Sequence, residues 1–364
     1  MKLLKHRRIS CIVVNEIVGV TFLLGAVSLW AVTCSAQRVA GGSEKATTQV
    51  NVSAAVSWLP ADTETLIVAN GPFVTPPLED EADEPQSGIL SNEEIAKQFE
   101  SLPMSLVDLP TGLLKQLSGR KVAFAMEGSR HFRSPSGLGG MQFEGCDIVM
   151  FAGDVASLGD AYIKNSKNIA TSVEEIDGQT VATFQSKLEN DVWTALVAFP
   201  RPNILVVATN REYLRDVLAR IAGKSGPRAL PGDLREWKYV DLHARCWGLR
   251  HYDKSQAALD PSSPFGGEKS ANFSDEKAIG IVFNLGIDRT ATITYLSNAK
   301  NALQIMREGL FPPQSEPTSI KDLRIQYREI SPGVIQGSFE LNQSDSVAYF
   351  TLVLIAALGH GVYL

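Results

Sequence analysis

The sequence predicts an α+β protein whose antiparallel sheets are built from β-hairpins, each followed by a capped helix that packs on one face. Short apolar runs occur in pairs separated by turn residues, which is typical of hairpins. A Ser, Thr or Asp that can cap a helix follows these pairs, and an apolar stretch with helical spacing comes next. This order recurs four times without residue-level identity, so the chain is also compatible with a β-β-α duplication.

Residues 172–223 show the pattern most clearly. The dipeptide Asp177-Gly178 lies between two β-branched runs, which predicts a two-residue hairpin turn. Two further strands, residues 192–199 and 204–208, complete a four-strand meander. Thr209 is predicted to cap the helix that follows, and Gly223 to end it. The residues expected on the buried face of that helix are Tyr213, Leu214, Val217, Leu218 and Ile221.

The first 36 residues have the features of a secretory signal. Four basic side chains precede an apolar run over residues 17–33, and Cys34-Ser35-Ala36 provides the small residues that a signal peptidase reads. We therefore expect an exported protein, periplasmic or secreted, with residues 37–52 as a disordered tether. Because the apolar run is about long enough to span a bilayer as a helix, an uncleaved N-terminal anchor is the alternative, and it would be the only membrane contact.

The net charge and the cysteine content limit which partners and cross-links we expect. The whole chain has a formal charge of -6, and loss of residues 1–36 removes four basic residues and Glu16, which leaves a charge of -9. An acidic chain without clustered Lys and Arg binds phosphate backbones poorly, so we expect no nucleic acid partner. The two remaining cysteines, Cys146 and Cys246, form either a disulfide or two buried thiols.

The segment that begins the folded region is Trp58-Leu59-Pro60-Ala61-Asp62-Thr63, and a short apolar strand over residues 66–69 follows it. With the aromatic hairpin and the helix of residues 209–222, this opening resembles a loosely defined family of secreted bacterial proteins of unknown function that begin with Leu-Pro-x-Asp-Thr. The resemblance covers this opening and the hairpin-helix block. It implies an exported domain of that type and brings no catalytic residues with it.

The chain after the tether divides into two expected α+β lobes, residues 53–228 and 229–364. The first lobe contains a Pro-rich acidic loop over residues 72–90, which lacks the ligand spacing of a calcium site and is typical of a solvated surface loop. Later in this lobe, Asp154 is predicted to cap a helix that runs to Lys164.

Two more hairpins are predicted in the second lobe. The first joins residues 278–285 to 290–296, and the second joins residues 323–329 to 334–341. Ser297 is expected to cap a helix that runs to Met306, and Asp345 is expected to cap a final buried helix over residues 347–358.

The most suggestive functional feature is a predicted strand over residues 237–249. Its alternation places one face of Val240, Leu242, Ala244 and Cys246 towards an apolar core. Aromatic rings with one Arg and one His on the other face can stack a sugar, a lipid or an extended peptide, but the same face can also pack beneath helices. The candidate ligand-binding residues on that face are Trp237, Tyr239, His243, Arg245 and Trp247.

Other chemical patterns are incomplete. His243, Cys246 and His251 are residue types that can bind zinc. Residues 243 and 246 would point to opposite faces of a strand, however, and no fourth ligand has the right spacing, so we expect no metal. Ser297 and Lys300 match a Ser-x-x-Lys pattern, yet its companion motifs are missing and a helix cap explains the serine. No cofactor-binding motif is complete, and we expect no cofactor.

We therefore expect an exported binding or envelope-associated structural module whose partner is an unknown protein or small ligand in the cell envelope, rather than an enzyme. The alternative is an extracytoplasmic hydrolase with unidentified catalytic residues, and a third reading is a homo-oligomer held together by its lobes. A hydrolase should place His131, His243 or His251 beside a Ser or a carboxylate, whereas a binding module should expose an aromatic patch.

Overall fold

The structure is a computed structural model that describes residues 52–74, 117, 119–133, 141–155, 157–159, 161, 164, 170–188, 191–252, 278–286, 288–309 and 325–340. Twelve strands within these ranges form one antiparallel sheet. The strands are β1 (Thr65–Val74), β2 (Lys121–Arg133), β3 (Met141–Phe151), β4 (Ser172–Ile176), β5 (Gln179–Leu188), β6 (Asp191–Arg201), β7 (Ile204–Ala208), β8 (Cys246–His251), β9 (Ala278–Leu285), β10 (Thr290–Ser297), β11 (Gln326–Ser331) and β12 (Val334–Glu340).

The helical elements whose bounds lie in the described residues are short. Helix α1 (Val52–Val56) precedes β1, α2 (Arg211–Ile221) follows β7, and α3 (Ala302–Gly309) follows β10. A 3₁₀ helix, Arg235–Tyr239, lies between α2 and β8. Across the sheet the strand order is β11-β12-β10-β9-β8-β1-β2-β3-β7-β6-β5-β4.

The predicted α+β class is wrong, because the described chain is mostly β and its hairpins join edge to edge. Strand β1 pairs with β2 on one side and with β8 on the other, so strands from both expected lobes share one sheet. Every residue of β7 is buried, which requires cover on both faces of the sheet and not a helix on one face alone. Period-two patterning identified the hairpins of the meander and the two hairpins of the second half, but it did not predict how the hairpins pair with one another.

Two hydrophobic clusters cover the two faces of the sheet. On the first face, α1 and α2 pack against Leu66, Phe124 and Ile148 of the central strands. On the second face, Val149 and Leu205 belong to a separate cluster with other buried strand residues. Cys146 belongs to the first cluster, and Cys246 pairs in register with Ala69 of the second. Both cysteines are buried, neither forms a disulfide, and the sheet separates them.

Several predicted hairpins are confirmed. Asp177 and Gly178 have φ angles of 50° and 78° and join β4 to β5, as the left-handed positions of a two-residue turn require. Strands β4 to β7 form the expected meander. The two hairpins of the second half also form, as β9 with β10 and β11 with β12.

Helix α2 buries the predicted residues but begins with a different cap. The Oδ1 atom of Asn210 accepts hydrogen bonds from the backbone N–H groups of Glu212 and Tyr213 at 2.8 and 3.0 Å. Thr209 was predicted in this role, but its hydroxyl lies against Gly145 of β3 and accepts a hydrogen bond from its N–H at 3.1 Å. Gly223 ends the helix with a φ of 103°, as predicted.

The other helix predictions hold only in part. Ser297 is the last residue of β10 and its Oγ accepts from the N–H of Ala299, so it makes a turn, and α3 begins later than predicted. Within the helix predicted from Asp154 to Lys164, residues 157–159, 161 and 164 are helical, and residues 156, 160, 162 and 163 lie outside the described residues. The helix predicted over residues 347–358 also lies outside them, and so do residues 75–90 of the acidic loop.

Candidate functional site

The predicted strand over residues 237–249 is wrong over most of its length. Residues 235–239 form the 3₁₀ helix, residues 240–245 form a turn, and the strand begins only at Cys246. The alternation that defined an aromatic face therefore does not apply before β8. Leu242, expected on the apolar face, is half exposed as a result, with 50% of its surface accessible.

The five candidate ligand-binding residues do not form one surface. Trp247 is fully buried, and the partly buried Trp237 packs edge-on against it with ring centroids 6.0 Å apart. Tyr239 is partly buried at the end of the 3₁₀ helix, His243 is exposed in the turn, and Arg245 is partly buried beside the strand. Two of the five residues therefore meet, and they meet inside the core.

The Trp237–Trp247 contact attaches the 3₁₀ helix to the sheet. The Nε1 of Trp237 donates to the carbonyl oxygens of Leu230 and Pro231 at 3.1 and 3.0 Å, so this indole is satisfied by its own chain. Asn284 of β9 makes a second attachment. Its amide donates to the carbonyl of Tyr239 at 3.0 Å. The 3₁₀ helix thus has a defined position over β8 and β9.

That position buries the carboxylate of Glu236 against the end of β8. Its Oε1 lies 2.6 Å from Nδ1 of His251, while the side chain of Glu236 is 0% exposed and that of His251 is 35% exposed. The second oxygen, Oε2, is buried and has no hydrogen-bond partner among the described residues. We call these two side chains the Glu236–His251 pair.

Gly280 of β9 makes room for this carboxylate. It is the register partner of His251, and a Cβ at this position would lie 2.3 Å from Oε1 of Glu236 and 2.6 Å from the carbonyl oxygen of Arg250. Contacts of that length do not occur between real side chains and backbone. The position of the Glu236–His251 pair therefore depends on a glycine in the neighbouring strand.

The contact with a carboxylate determines the chemistry of the imidazole. A carboxylate oxygen accepts, so Nδ1 donates to Glu236 and the neutral ring carries its lone pair on Nε2. A proton taken up at Nε2 gives an imidazolium that the buried carboxylate stabilises. This arrangement suits a general base, whose ring orientation is fixed by its contact with a buried acid.

Two further ionisable side chains lie next to the pair in sequence. Arg250 is 7% exposed, and its guanidinium lies 4.6 Å from the ring centroid of Tyr252. Burial lowers the pKa of Arg250, and the charges of Tyr252 and Glu64 raise it again in part. Burial raises the pKa of Tyr252 to about 12, so its hydroxyl stays protonated at neutral pH.

A second polar cluster lies on the same face of the sheet, at the start of β1. Arg130 of β2 forms an ion pair with Asp62 and contacts Glu144 of β3 through Nε and Nη2 at 3.0 and 2.8 Å. Asn210 donates to the other oxygen of Glu144 at 2.6 Å, and the guanidinium lies 5.3 Å from the ring centroid of Tyr213. We call these five residues the Arg130 cluster.

The Arg130 cluster explains the Leu-Pro-x-Asp-Thr segment in structural terms. Leu59 is fully buried and covers Gly128, where a Cβ would lie 2.7 Å from the leucine side chain. Asp62 pairs with Arg130, and the hydroxyl of Thr63 bonds to that of Tyr213 at 2.8 Å. The segment therefore connects α1, the sheet and α2.

Neither a metal centre nor a membrane-spanning helix is found in the described parts of the chain. No three His, Cys, Asp or Glu side chains in these ranges are placed to hold a metal ion. None of the helices in these ranges is both long and apolar enough to cross a membrane. Ser297 is 2% exposed, whereas Lys300 is exposed, so the Ser-x-x-Lys pattern does not form a reactive pair.

No family model matches the chain, and no curated protein or solved structure is significantly similar to it. The resemblance to secreted proteins with a Leu-Pro-x-Asp-Thr opening therefore stays a prediction. Sequence reasoning named His251 as one of three candidate histidines but missed its partner. Glu236 is 15 residues away and on a different element, and no spacing rule connects the two.

Proposed function

We propose that this protein is an exported enzyme that uses His251 as a general base in a hydrolytic reaction. The observation that carries the proposal is the 2.6 Å contact between Nδ1 of His251 and a carboxylate that is completely buried. A buried carboxylate with an unsatisfied oxygen costs stability, and such groups concentrate at functional sites. The side chain it orients is partly accessible to solvent.

The binding function predicted from the aromatic strand has lost its main support. Trp247 is buried, and Trp237 uses its indole N–H within the chain. Among the described residues, the exposed large hydrophobic side chains are Leu242 and Ile330, which are not aromatic. A hydrolase was expected to place a histidine beside a Ser or a carboxylate, and a binding module was expected to expose an aromatic patch. His251 lies beside Glu236 and the described surface has no aromatic patch, so these observations favour the hydrolase.

The proposed step moves one proton and exchanges one bond. Nε2 of His251 takes a proton from water as the water oxygen attacks an electrophilic carbon, and Glu236 stabilises the imidazolium. The bond to the leaving group then breaks, and the same proton passes from Nε2 to that group. General base catalysis of this kind contributes about 10²–10⁴-fold to a rate.

The test is hydrolysis of p-nitrophenyl acetate by the full exported chain. We expect His251→Gln to lower the rate by on the order of 10²-fold or more while leaving the thermal midpoint close to that of the wild type. His243→Gln is the matched control, because His243 is exposed in a turn and outside the pair. A folded His251→Gln protein that matches the wild-type rate would contradict the proposal.

A second readout separates a base from a structural histidine. Diethyl pyrocarbonate acylates neutral imidazole, so it should inactivate the wild type with a rate that rises with pH. Glu236→Gln should move the midpoint of that pH profile downwards, because the imidazolium loses its carboxylate partner. An unchanged midpoint would show that Glu236 does not control the proton affinity of His251, and the exported structural module would then be the better description.

A further inference from the structure

Two acidic residues face each other in the middle of the sheet. Glu127 of β2 and Asp147 of β3 are direct register partners. Side chains that are opposite each other in an antiparallel pair have Cβ atoms about 4.5–5.5 Å apart. The register partner of Glu127 on its other side is Ile67 of β1, and that of Asp147 is Val207 of β7. Both of these residues are 3% exposed. Hydrocarbon therefore borders the two carboxyls on both sides.

No positive charge lies directly beside this pair on the described strands that flank it. The neighbouring positions on the same face of β2 and β3 are Ala125, Ser129, Gly145 and Val149, none of which is charged. Strands β1 and β7 present only Ile67, Val207 and other uncharged residues in these rows. The other titratable group whose pKa responds to the pair is the buried thiol of Cys146, whose side chain packs on the opposite face.

We propose that Glu127 and Asp147 titrate as a pair and act together as a pH-sensitive switch at the centre of the sheet. With both carboxyls protonated the pair is neutral, and the pairing of β2 with β3 is complete. Loss of the protons places first one and then two negative charges in a partly buried position that hydrocarbon borders, which weakens that pairing. Nothing else enters or leaves the site.

The titration of the two groups agrees with this arrangement. Burial raises the pKa of Glu127 from its ordinary 4.5 to about 7. Burial and the charge of Glu127 together raise the pKa of Asp147 well above its ordinary value. The folded chain therefore binds more protons than the unfolded chain at intermediate pH. The stabilisation is complete below about pH 4.5 and is lost as the pH rises through about 7.

The experiment compares the pH dependence of unfolding in the full wild-type chain and in Glu127→Gln, by urea denaturation between about pH 5 and about pH 8. The glutamine amide can donate to Asp147, so it imitates the protonated carboxyl at every pH. We expect the unfolding equilibrium constant of the wild type to rise on the order of 100-fold more than that of the variant over this range. Parallel curves would overturn the proposal.

Two further variants keep the test decisive. Asp147→Asn should remove the same pH dependence as Glu127→Gln, and it replaces that variant if Glu127→Gln does not fold. Glu175→Gln is the control, because Glu175 is an exposed strand carboxylate that accepts a hydrogen bond from Thr180, a role an amide can keep. We expect its curve to follow the wild type. A loss of slope in Glu175→Gln as large as in Glu127→Gln would also overturn the proposal.

Discussion

The Arg130 cluster and the Glu236–His251 pair both bury a carboxylate on the helix-bearing face of the same sheet, but they satisfy it differently. In the Arg130 cluster, both oxygens of Glu144 have a partner, one in Arg130 and one in Asn210. Hydrogen bonds and the charges of Glu144 and Asp62 raise the pKa of Arg130 despite its partial burial. In the pair, Glu236 is buried more deeply and one of its oxygens has no partner among the described residues.

This difference indicates that the Arg130 cluster stabilises the fold, whereas burial of Glu236 lowers the stability of the fold. A fully hydrogen-bonded cluster contributes to stability and connects elements, here α2 and the two central strands. A buried carboxylate with an open oxygen is destabilising, and this cost is why we propose a role for Glu236 beyond stability. The free energy of unfolding should therefore fall more in variants of the Arg130 cluster than in matched variants of the Glu236–His251 pair.

The largest effect is expected for Arg130→Ala. The change leaves Glu144, whose side chain is 12% exposed, without its cation, and it should lower the free energy of unfolding by about 3 kcal/mol. Urea denaturation measures it. Arg215→Ala is the control, since Arg215 and Glu212 form an exposed pair on α2 and its loss should cost less than about 0.5 kcal/mol. Equal losses would mean that the Arg130 cluster is no more than a surface contact.

Gly280→Ala should displace the Glu236–His251 pair by a steric clash. The new methyl group would overlap Oε1 of Glu236 and the carbonyl of Arg250, and such overpacking costs about 2 kcal/mol. The variant should also lose hydrolysis of p-nitrophenyl acetate, because Glu236 can no longer hold His251. Gly232→Ala is the matched control, where the first atom met is 3.6 Å away. An active, stable Gly280→Ala protein would show that the pair tolerates displacement.

Replacing each carboxylate by its amide compares the two regions directly. Glu144→Gln loses charge-assisted hydrogen bonds to Arg130 and should cost about 2 kcal/mol. Glu236→Gln removes a buried charge with an open oxygen, so its free energy of unfolding should stay within about 1 kcal/mol of the wild type. Chemical denaturation of both variants at neutral pH gives the two values. The comparison fails if Glu236→Gln proves the more damaging change.

The smallest effect concerns Asn210, which both caps α2 and belongs to the Arg130 cluster. Asn210→Ala should cost about 1 kcal/mol or slightly more, since it loses the cap and the bond to Glu144. Asn210→Ser keeps a cap acceptor and loses only the contact with Glu144, so it should recover most of that value. Thermal midpoints of the two variants measure the difference. Identical midpoints would mean that the whole loss of stability comes from the missing hydrogen bond to Glu144 and none from the missing cap.

Local signals in the sequence predicted local structure well and long-range pairing poorly. Asp177-Gly178 identified a turn because left-handed backbone favours these residues, and the apolar spacing of α2 identified its buried face. Trp247 was misjudged because alternation shows which residues share a face but not which face is covered. The contact of His251 with Glu236 depends on the path of the 3₁₀ helix, and the pairing of Glu127 with Asp147 depends on strand register; no short motif encodes either.

The central place of β1 also affects the order in which the chain can fold. Its first residue is Thr65, yet one of its two hydrogen-bonded neighbours, β8, begins only at Cys246. While the chain is being made, the β8-facing edge of β1 stays open until that later segment arrives. An open edge of apolar strand can pair with another chain, and closing such a long loop is slow. The two halves of the sheet therefore cannot join until β8 is available.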